Sequence, residues 1–359
     1  MQWLGPNISS SLSITIIIYY LCRHQVMPMA TTVAATSRRG IFMILSPAKT
    51  LDISEHVFAP PIDEHANNNE EHHDVHAHKF EYVSQPSCDL PKTRQLAKIL
   101  KSKSKKQLKD LLKVSDKISD TVKDYYDAFN VDLSEHQKKN GGNKKAAVFS
   151  FDGPAFKGIS ASTCDPNTIK YMQEHLRIID PLYGALRPLD QIQPYRLEMA
   201  TKSILKDLNT DDKSLASWWK ASITSNILQD MKALECNVLM NLASDEYSSA
   251  IDATKVEEQE CKFIKVAFQQ EGKVVAVHAK KARGLMVRYI SEKKLNSVEE
   301  IQNFDQDGYC FCKERSDEMT IVFDRSKNWK DVTALISNTD NKRKATKESV
   351  KKGVSKKIR

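Results

Sequence analysis

The sequence predicts an α/β protein, because short apolar strands alternate along the chain with longer amphipathic helices. Hydrophobic residues make up 40% of its 359 residues, which is enough for an extensive core. A chain of this length accommodates two average domains or one large domain. The motifs GxxxxGK[ST], GxGxxG, HExxH and GxSxG do not occur, so the commonest nucleotide-binding and hydrolase functions are excluded.

The first predicted elements are a strand and two helices. Ile41 to Leu45 is an apolar run that predicts a buried strand. Leu90 to Leu112 has apolar residues at helical spacing and is predicted to be one helix, and a second helix follows closely from Val114, with Ser115 and Asp116 as N-cap residues. Two helices joined by a tight turn present backbone N–H groups to a phosphate, whereas ordinary antiparallel packing of two helices gives the same pattern.

A second strand and a third helix are predicted in the middle of the chain. Ala146 to Phe151 is predicted to be a short strand. Asp165 is a capping residue followed by Pro166, the residue favoured at the first helical position, and the helix is predicted to run towards Ile179.

The next helix and strand lead to a polar segment. Ser214 to Leu234 is predicted to be a helix with Trp218 and Trp219 in the core, and Asn237 to Leu242 a strand. Short polar residues follow in Asn241 to Tyr247, just where α/β proteins place their sites, after the end of a strand.

The last strands are predicted around a turn and near the C-terminal part of the chain. Lys262 to Phe268 and Lys273 to His278 alternate around Glu271-Gly272 and predict a β-hairpin. Tyr309 to Cys312 and Thr320 to Phe323 are predicted to be two further short strands.

The helix predicted after this hairpin separates apolar from basic residues. Its apolar stripe consists of Ala282, Leu285, Met286, Tyr289 and Ile290. The opposite side carries Lys280, Lys281, Gly284 and Arg288, with Arg283 on the flank. The glycine lets another backbone come close. Lysines near a helix start are disfavoured by the helix dipole, so this face indicates either an anionic partner or an ordinary solvated surface.

The net charge of +8 comes from the C-terminal tail. Residues 342–359 contain nine Lys or Arg against one acid, and residues 1–51 add four positive charges and no acid. The intervening residues therefore carry a net charge of −4. Any basic surface of the folded part is local, and one source is Lys92 to Lys117, with ten basic residues against two aspartates.

Residues 1–40 are predicted to be an N-terminal extension. Ile8 to Cys22 is apolar but interrupted by serines and shorter than the roughly 18 residues of a membrane span, so no stable membrane association is expected. It fits a signal-peptide core, whereas the acid-free Met29 to Arg39 fits an organelle transit segment. A third interpretation makes the extension irrelevant, because translation would begin at Met27, Met29 or Met43.

Residues 63–79 are predicted to be a flexible insertion rich in histidine, because polar sequence of low complexity cannot bury a core. Loose metal binding by these histidines is the alternative. The seven cysteines are widely spread and form no CxxC pair, which favours a reduced intracellular compartment. Cys310 and Cys312 lack the second pair that a zinc site needs, so no metal site is predicted.

A dense polar loop is predicted from Tyr183 to Glu198, where two prolines stiffen the backbone around Arg187 and Arg196. Arginine held in this way suits bidentate capture of phosphate or carboxylate. Structural ion pairs are the alternative, Arg187 with Asp190 or Arg196 with Glu198.

Five segments together resemble the YaaA family of bacterial peroxide-stress-resistance proteins. They are Ile44 to Asp52 (ILSPAKTLD), Leu182 to Asp190 (LYGALRPLD), Gln193 to Met199 (QPYRLEM), Asn241 to Tyr247 (NLASDEY) and Ala279 to Ile290 (AKKARGLMVRYI). Their order and spacing also agree with the family, and the resemblance covers roughly Phe42 to Arg325.

The resemblance implies a single compact domain of mixed α/β (α+β) type, the cantaloupe fold, over residues 41–325, with a helix-hairpin-helix element and a positively charged cleft. It implies binding to duplex and branched DNA without sequence specificity, and protection during hydrogen peroxide stress through DNA repair or limitation of iron-driven damage. No cofactor is implied. The cytosol is the expected compartment. The N-terminal extension would instead indicate a plastid or a mitochondrion. The basic tail, residues 326–359, is predicted to be disordered and would indicate the nucleus.

The DNA-binding hypothesis assigns phosphate contacts to Lys49, Lys117, Lys157, Arg187, Arg196, Lys280, Lys281, Arg283 and Arg288. An alternative is an enzyme acting on a nucleic acid or a phosphorylated substrate, with Lys49 as base or nucleophile and Asp52, Asp245 and Glu246 as acid or base. A third hypothesis is iron binding by the histidine tract. The chain departs from the family pattern F-D-G-D-V-Y at Phe151 to Phe156, where a carboxylate and a tyrosine hydroxyl are missing; Lys157 retains the positive charge.

Overall fold

The computed structural model describes residues 40–54, 84–132 and 144–330. The predicted extension up to residue 39, the histidine-rich segment 63–79 and the tail from residue 331 lie outside these ranges. The strands are β1 Ile41–Leu45, β2 Lys145–Ala146, β3 Leu176–Asp180, β4 Gly184–Leu186, β5 Gln191–Ile192, β6 Val238–Leu242, β7 Lys262–Gln270, β8 Cys310–Phe311 and β9 Thr320–Arg325. The helices are α1 Leu90–Ser102, α2 Lys105–Leu112, α3 Asp116–Ala128, α4 Ala147–Ser150, α5 Pro154–Ile159, α6 Pro166–His175, α7 Leu205–Leu208, α8 Leu215–Ala233, α9 Asp245–Ser248, α10 Ala253–Glu257, α11 Ala276–Lys293 and α12 Val298–Ile301.

A mostly parallel sheet of seven strands, in the order β4-β3-β1-β6-β7-β9-β8, organises this part of the chain into one compact α/β domain. The five inner strands are parallel to one another, and the edge strands β4 and β8 are antiparallel to their neighbours. Every residue of β1, β3 and β6 is buried, as expected for parallel strands covered by helices on both faces. The α/β class predicted from the alternating apolar segments is confirmed.

The strand order changes direction between β1 and β6. The chain leaves β1 and returns on one side as β3, whereas it leaves β6 and returns on the other side as β7. Adjacent parallel strands whose connections depart in opposite directions define a topological switch point, and α/β proteins bind ligands outside the carboxyl ends of such strands. The ends of β1 and β6 are therefore the place in this fold where a site is expected.

The helices before the second strand are divided differently from the prediction. The single helix expected over Leu90 to Leu112 is two helices, α1 and α2, because Ser104 interrupts the first and caps the second. Its hydroxyl accepts a hydrogen bond from the backbone N–H of Gln107, whose side chain in turn accepts one from the N–H of Ser104. The start of α3 is as predicted, with Ser115 as its N-cap.

Two further predictions about the middle of the chain are wrong in part. Ala146 to Phe151 is not a strand, because β2 ends at Ala146 and residues 147–150 form helix α4. The helix capped by Asp165, with Pro166 at its first position, ends at His175, and the apolar residues that follow form β3 between β1 and β4. A short apolar run fits the end of a helix and a buried strand equally well. Here, pairing with the neighbouring strands makes the run a strand.

The hairpin predicted around Glu271-Gly272 forms its turn but not its second strand. Both turn residues have positive φ, and Gln270 and Lys273 close the turn through an isolated bridge. The edge of β7 on which residues 273–278 would pair is already occupied, since β6 lies on one side of β7 and β9 on the other. The chain therefore enters α11 at Ala276.

Helix α11 crosses α5 at two glycines. A Cβ atom built on Gly284 would lie 1.8 Å from the carbonyl oxygen of Ala155, and one built on Gly158 would lie 2.3 Å from the carbonyl oxygen of Lys281. The prediction that Gly284 lets another backbone approach is confirmed, and that backbone is α5. The predicted apolar stripe of α11 is buried except for Leu285, which is half-buried next to Gly158.

Candidate anion-binding site

Two serines meet at the switch point. Ser46 follows β1 directly, and Ser244 follows β6 after one intervening residue. The Ser46 hydroxyl accepts a hydrogen bond from the backbone N–H of Ser244 at 2.9 Å, and the two hydroxyl oxygens are 3.4 Å apart. Both serines lie within segments that carry the family resemblance, but neither was predicted to be a site residue.

Four chain segments form a closed ring of contacts around this point, and we call the region that they surround the switch-point site. Residues 46–48 contact residues 244–245 through the serine pair. They also contact the start of α5, since a Cβ atom built on Gly153 would lie 2.8 Å from that of Ala48. Ala155 contacts Gly284 of α11 at the helix crossing, and the neighbouring Arg283 lies close enough to Asp245 for their charges to interact.

A basic pair borders the switch-point site. Glu198 bridges it, because its carboxylate lies 2.6 Å from Nζ of Lys49 and 3.1 Å from Nη2 of Arg196. Nη1 of Arg196 donates to the carbonyl oxygen of Lys49 at 3.3 Å. The ion pair between Arg196 and Glu198, considered as the alternative to a binding role, is therefore present. Nε of Arg196 is nevertheless buried without an acceptor among the described residues.

Arg283 is a partly buried basic residue that has no partner within the described part of the chain. Its guanidinium makes neither a hydrogen bond nor an ion pair there, and its Nε is buried. The side chain is half-buried, and this burial lowers the pKa of Arg283 below its usual value, while the negative charge of Asp245 opposes the shift. Asp245 itself is paired with Lys265 at 2.6 Å.

Two residues predicted to contact phosphate, Arg288 and Arg187, have partners within the protein, and their role in phosphate binding stays a prediction. Arg288 pairs with Glu292 at 2.6 Å and donates to oxygens at the end of α5 and beyond it, including the carbonyl of Ile159 at 3.3 Å and the Thr163 hydroxyl at 2.6 Å. The side chain of Arg187 pairs with Asp230 at 3.1 Å and not with Asp190, the partner considered from the sequence. The Asp190 carboxylate accepts a hydrogen bond from the backbone N–H of Arg187.

The remaining predicted cations lie at the surface. Lys157 and Lys281 are exposed and pair with Asp152 at 3.2 Å and with Asp307 at 2.8 Å. Lys280 is exposed near the start of α11. Lys117 is exposed in the first turn of α3, a helix that is not one of the four segments around the switch-point site. The structure thus brings Lys49, Arg196 and Arg283 to the switch-point site and places Lys157, Lys280 and Lys281 on the adjoining helices.

The predicted acid and base residues Asp52 and Glu246 have hydrogen-bond partners of their own. Asp52 lies 3.0 Å from Nζ of Lys145 and accepts hydrogen bonds from Ser54, which hold the pKa of Asp52 well below its usual range. Glu246 accepts a hydrogen bond from the backbone N–H of Ala200 at 3.0 Å. Lys49 itself is paired with Glu198, and an acid-base role for these carboxylates stays a prediction.

A buried carboxyl group, that of Asp180, is hydrogen-bonded to the loop that carries Arg196. Asp180, at the end of β3, accepts hydrogen bonds from the backbone N–H groups of Leu182 and Tyr183, each at 2.9 Å, and from the hydroxyl of Tyr195. Burial raises the pKa of Asp180 from 3.8 to about 6, against the effect of these hydrogen bonds. Because Tyr195 precedes Arg196, Asp180 helps to fix the loop that carries this arginine.

The helical hairpin of α2 and α3 is tied to the same loop. The hydroxyl of Tyr126 donates to the carbonyl oxygen of Arg196 at 2.7 Å, and Gln193 exchanges two hydrogen bonds with the backbone of Asn130. The first turn of α3 is capped by Ser115 within the chain. The turn after Leu112 and the start of the helix that follows it are as predicted, whereas only the last part of the predicted first helix, α2, precedes the turn. A phosphate-binding role for the turn stays a prediction.

The described residues contain no group of three or more His, Cys, Asp or Glu side chains arranged to hold a metal ion. The histidine tract proposed for loose metal binding lies outside them. Within the same ranges, no helix has the length and apolar composition needed to cross a lipid bilayer.

A mostly parallel sheet with a topological switch point places the protein in the general class of α/β proteins, whose ligand sites lie outside the carboxyl ends of the strands. Comparison with known protein families is more specific. The family model described as peroxide stress protein YaaA matches residues 41–315, and the chain belongs to this family.

Relatives of known sequence carry the name UPF0246 protein. One from Francisella tularensis subsp. tularensis is 38% identical over 64% of this chain and 87% of its own length. Another from Francisella tularensis subsp. novicida is 37% identical over the same shares. One from Alteromonas mediterranea is 33% identical over 80% of this chain and 98% of its own length.

Proposed function

We propose that this protein acts in the response to hydrogen peroxide by binding DNA, without sequence specificity, through the basic residues around the switch-point site. The family description supports a role in peroxide stress. The observation that carries DNA binding is the placement of Lys49, Lys157, Lys280 and Lys281 on segments that contact one another beside the switch point. Protection of DNA and limitation of iron-driven damage are part of this proposal, and the cytosol is the compartment in which we place it.

The acidic partners of these lysines are compatible with phosphate binding. The side chains of Lys49, Lys157 and Lys281 are 58%, 69% and 47% exposed in their ion pairs. In the pair of Lys157 with Asp152 both side chains are exposed, and such a pair contributes about 0 to 1 kcal/mol, so exchanging this carboxylate for a phosphate costs little. Release of condensed counterions from the DNA supplies a further favourable contribution at low salt.

The test is a titration of fluorescently labelled DNA with the full-length protein at several KCl concentrations. Duplexes of unrelated sequence and a branched junction serve as ligands. We expect affinity to fall steeply with salt and to be similar for all duplexes, because phosphates and not bases are contacted. Replacing Lys280 and Lys281 together by Gln should weaken binding to every DNA alike and reduce the salt slope by about 0.9 for each phosphate that the variant no longer neutralises.

Lys232→Gln is the matched control. Lys232 is exposed in the last turn of α8, which leads into the opposite, amino-terminal end of β6. The basic tail is present in every variant, so a difference between variants reports the switch-point side of the domain. Affinity that is independent of salt, or that falls equally in the Lys232 variant, would contradict the proposal.

A further inference from the structure

The guanidinium of Arg283 needs a partner that the described residues do not supply. It carries five N–H donors, is half-buried, and has its Nε fully buried without an acceptor. Buried polar groups are almost always hydrogen-bonded, and an unpaired buried charge is more unfavourable than an unpaired neutral group. Asp245 lies near enough to interact with this charge, but its carboxylate is hydrogen-bonded to Lys265.

Other unused hydrogen-bond donors belong to the same ring of segments. The Ser244 hydroxyl accepts from Ser46 and donates to none of the described residues. Nε of Arg196 and Nε of Arg325 are also buried without an acceptor there, and of these two arginines Arg196 contacts residue 49, at the end of the segment that includes Ser46. Arg283, Arg196 and Ser244 therefore have hydrogen-bond donors without acceptors among the described residues, on segments that contact one another, and a ligand with several oxygen atoms would supply those acceptors.

We propose that Arg283, Arg196 and Ser244 bind a single phosphoryl group at the switch-point site. A phosphoryl group has three oxygens that accept charge-assisted hydrogen bonds, and the planar guanidinium binds two of them at once. The group comes either from a phosphorylated small molecule or inorganic phosphate, or from the backbone of DNA. Only the second source rests on the function proposed above.

The test uses inorganic phosphate with the full-length protein, in buffer matched in ionic strength with chloride. Phosphorus NMR line broadening and calorimetric titration report binding. We expect one saturable site, and we expect Arg283→Gln to weaken it at least about tenfold, since the variant cannot make the charge-assisted hydrogen bond. Ser244→Ala should weaken it about threefold, as for a neutral hydrogen bond, and Lys232→Gln should leave it unchanged.

Arg283→Lys provides a check that does not depend on removing the charge. Lysine retains the positive charge but not the forked geometry, so phosphate binding should be weakened but still detectable. Absence of a saturable phosphate site in the unaltered protein, or unaltered binding in Arg283→Gln, would overturn the proposal.

Competition with DNA distinguishes the two sources. Displacement of bound phosphate by a duplex without terminal phosphates identifies the group as a backbone phosphate of DNA. Simultaneous binding of phosphate and duplex identifies it as part of a small molecule. If phosphate binds through Arg283 but no DNA binds to any variant, the function proposed above is wrong while the phosphoryl site stands.

Discussion

Arg283 and Arg288 lie five residues apart on α11, and their environments are opposite. Arg288 pairs with Glu292 and donates to Ile159, Ser160 and Thr163 at the end of α5. Arg283, on the other side of the helix crossing, has a guanidinium without a partner among the described residues. The sequence places Arg288 on the basic face of the helix and Arg283 on its flank, whereas the structure assigns Arg288 to the crossing of α5 and α11 and Arg283 to the switch-point site.

The difference shows that the position of α5 determines the role of each arginine. A cation is favoured at the end of a helix, where carbonyl groups lack intrahelical partners, and Arg288 occupies that position next to α5. Arg283 lies beside the start of α5, where Ala155 contacts Gly284 and no carbonyl cluster of the described residues faces the guanidinium. We therefore expect Arg288 to contribute stability and Arg283 to contribute ligand binding.

The largest expected effect comes from breaking the helix crossing itself. In Gly284→Val the new Cβ atom would lie 1.8 Å from the carbonyl oxygen of Ala155, so α5 and α11 must separate. We expect a loss of about 4 kcal/mol or more in the free energy of unfolding, measured by urea denaturation. Ala276→Val, at an exposed position of the same helix, is the control and should change stability by less than about 1 kcal/mol. Equal stability of the two variants would show that the helices do not cross in this way.

Replacing each arginine by methionine compares the two environments directly. Arg288→Met leaves carbonyl oxygens at the end of α5 without donors, and we expect it to destabilise the protein by about 3 kcal/mol. Arg283→Met removes a half-buried charge that has no partner among the described residues, so stability should change by less than about 1 kcal/mol or increase. Thermal and urea unfolding measure both, and similar losses in the two variants would contradict the division of roles.

Local chemistry is the part of this structure that the sequence predicts well. Ser115, Asp165 and Ser214 cap the helices that they were predicted to begin, because a capping side chain bonds to backbone groups only two or three residues away. The strand Ile41–Leu45 has the predicted bounds, since a fully buried parallel strand is a continuous apolar run. The second strand of the predicted hairpin fails because strand formation at residues 273–278 depends on β9, which follows much later in the chain.

The partners of the site residues are beyond the reach of sequence reasoning. Lys49 was predicted to bind DNA or to act in catalysis, but its partner Glu198 is 149 residues away, and the two serines of the switch point are separated by 198 residues. No local pattern relates residues so far apart; the parallel pairing of β1 and β6 brings the serines together. A serine close behind each of two buried strands is the signal from which this pair can be anticipated.

The smallest expected effect concerns a second buried charge on the switch-point side, the carboxyl group of Asp180. Its pKa is raised by burial from 3.8 to about 6, so the folded protein binds this proton more tightly than the unfolded chain. Stability therefore falls as pH rises between these two values, by about 2 kcal/mol between about pH 4.5 and 6.5. Asp180→Asn should remove this loss while keeping an acceptor for the N–H groups of Leu182 and Tyr183.

The measurement is urea denaturation of both proteins across this pH range, with the difference between them as the result. Asp190, whose pKa burial also raises to about 6, is present in both and cancels in the difference. The hydrogen bond with Thr168 lowers the pKa of Asp165, so this group adds stability as pH rises at lower pH. Asp165 is also present in both proteins, and its contribution cancels in the difference. A difference that does not vary with pH would mean that Asp180 is not buried as a free carboxyl group. A stability difference that grows with pH in favour of Asp180→Asn would confirm that a buried carboxylate is hydrogen-bonded to the loop bearing Arg196 without a cationic partner. Arg288 at the helix crossing, by contrast, is paired with Glu292.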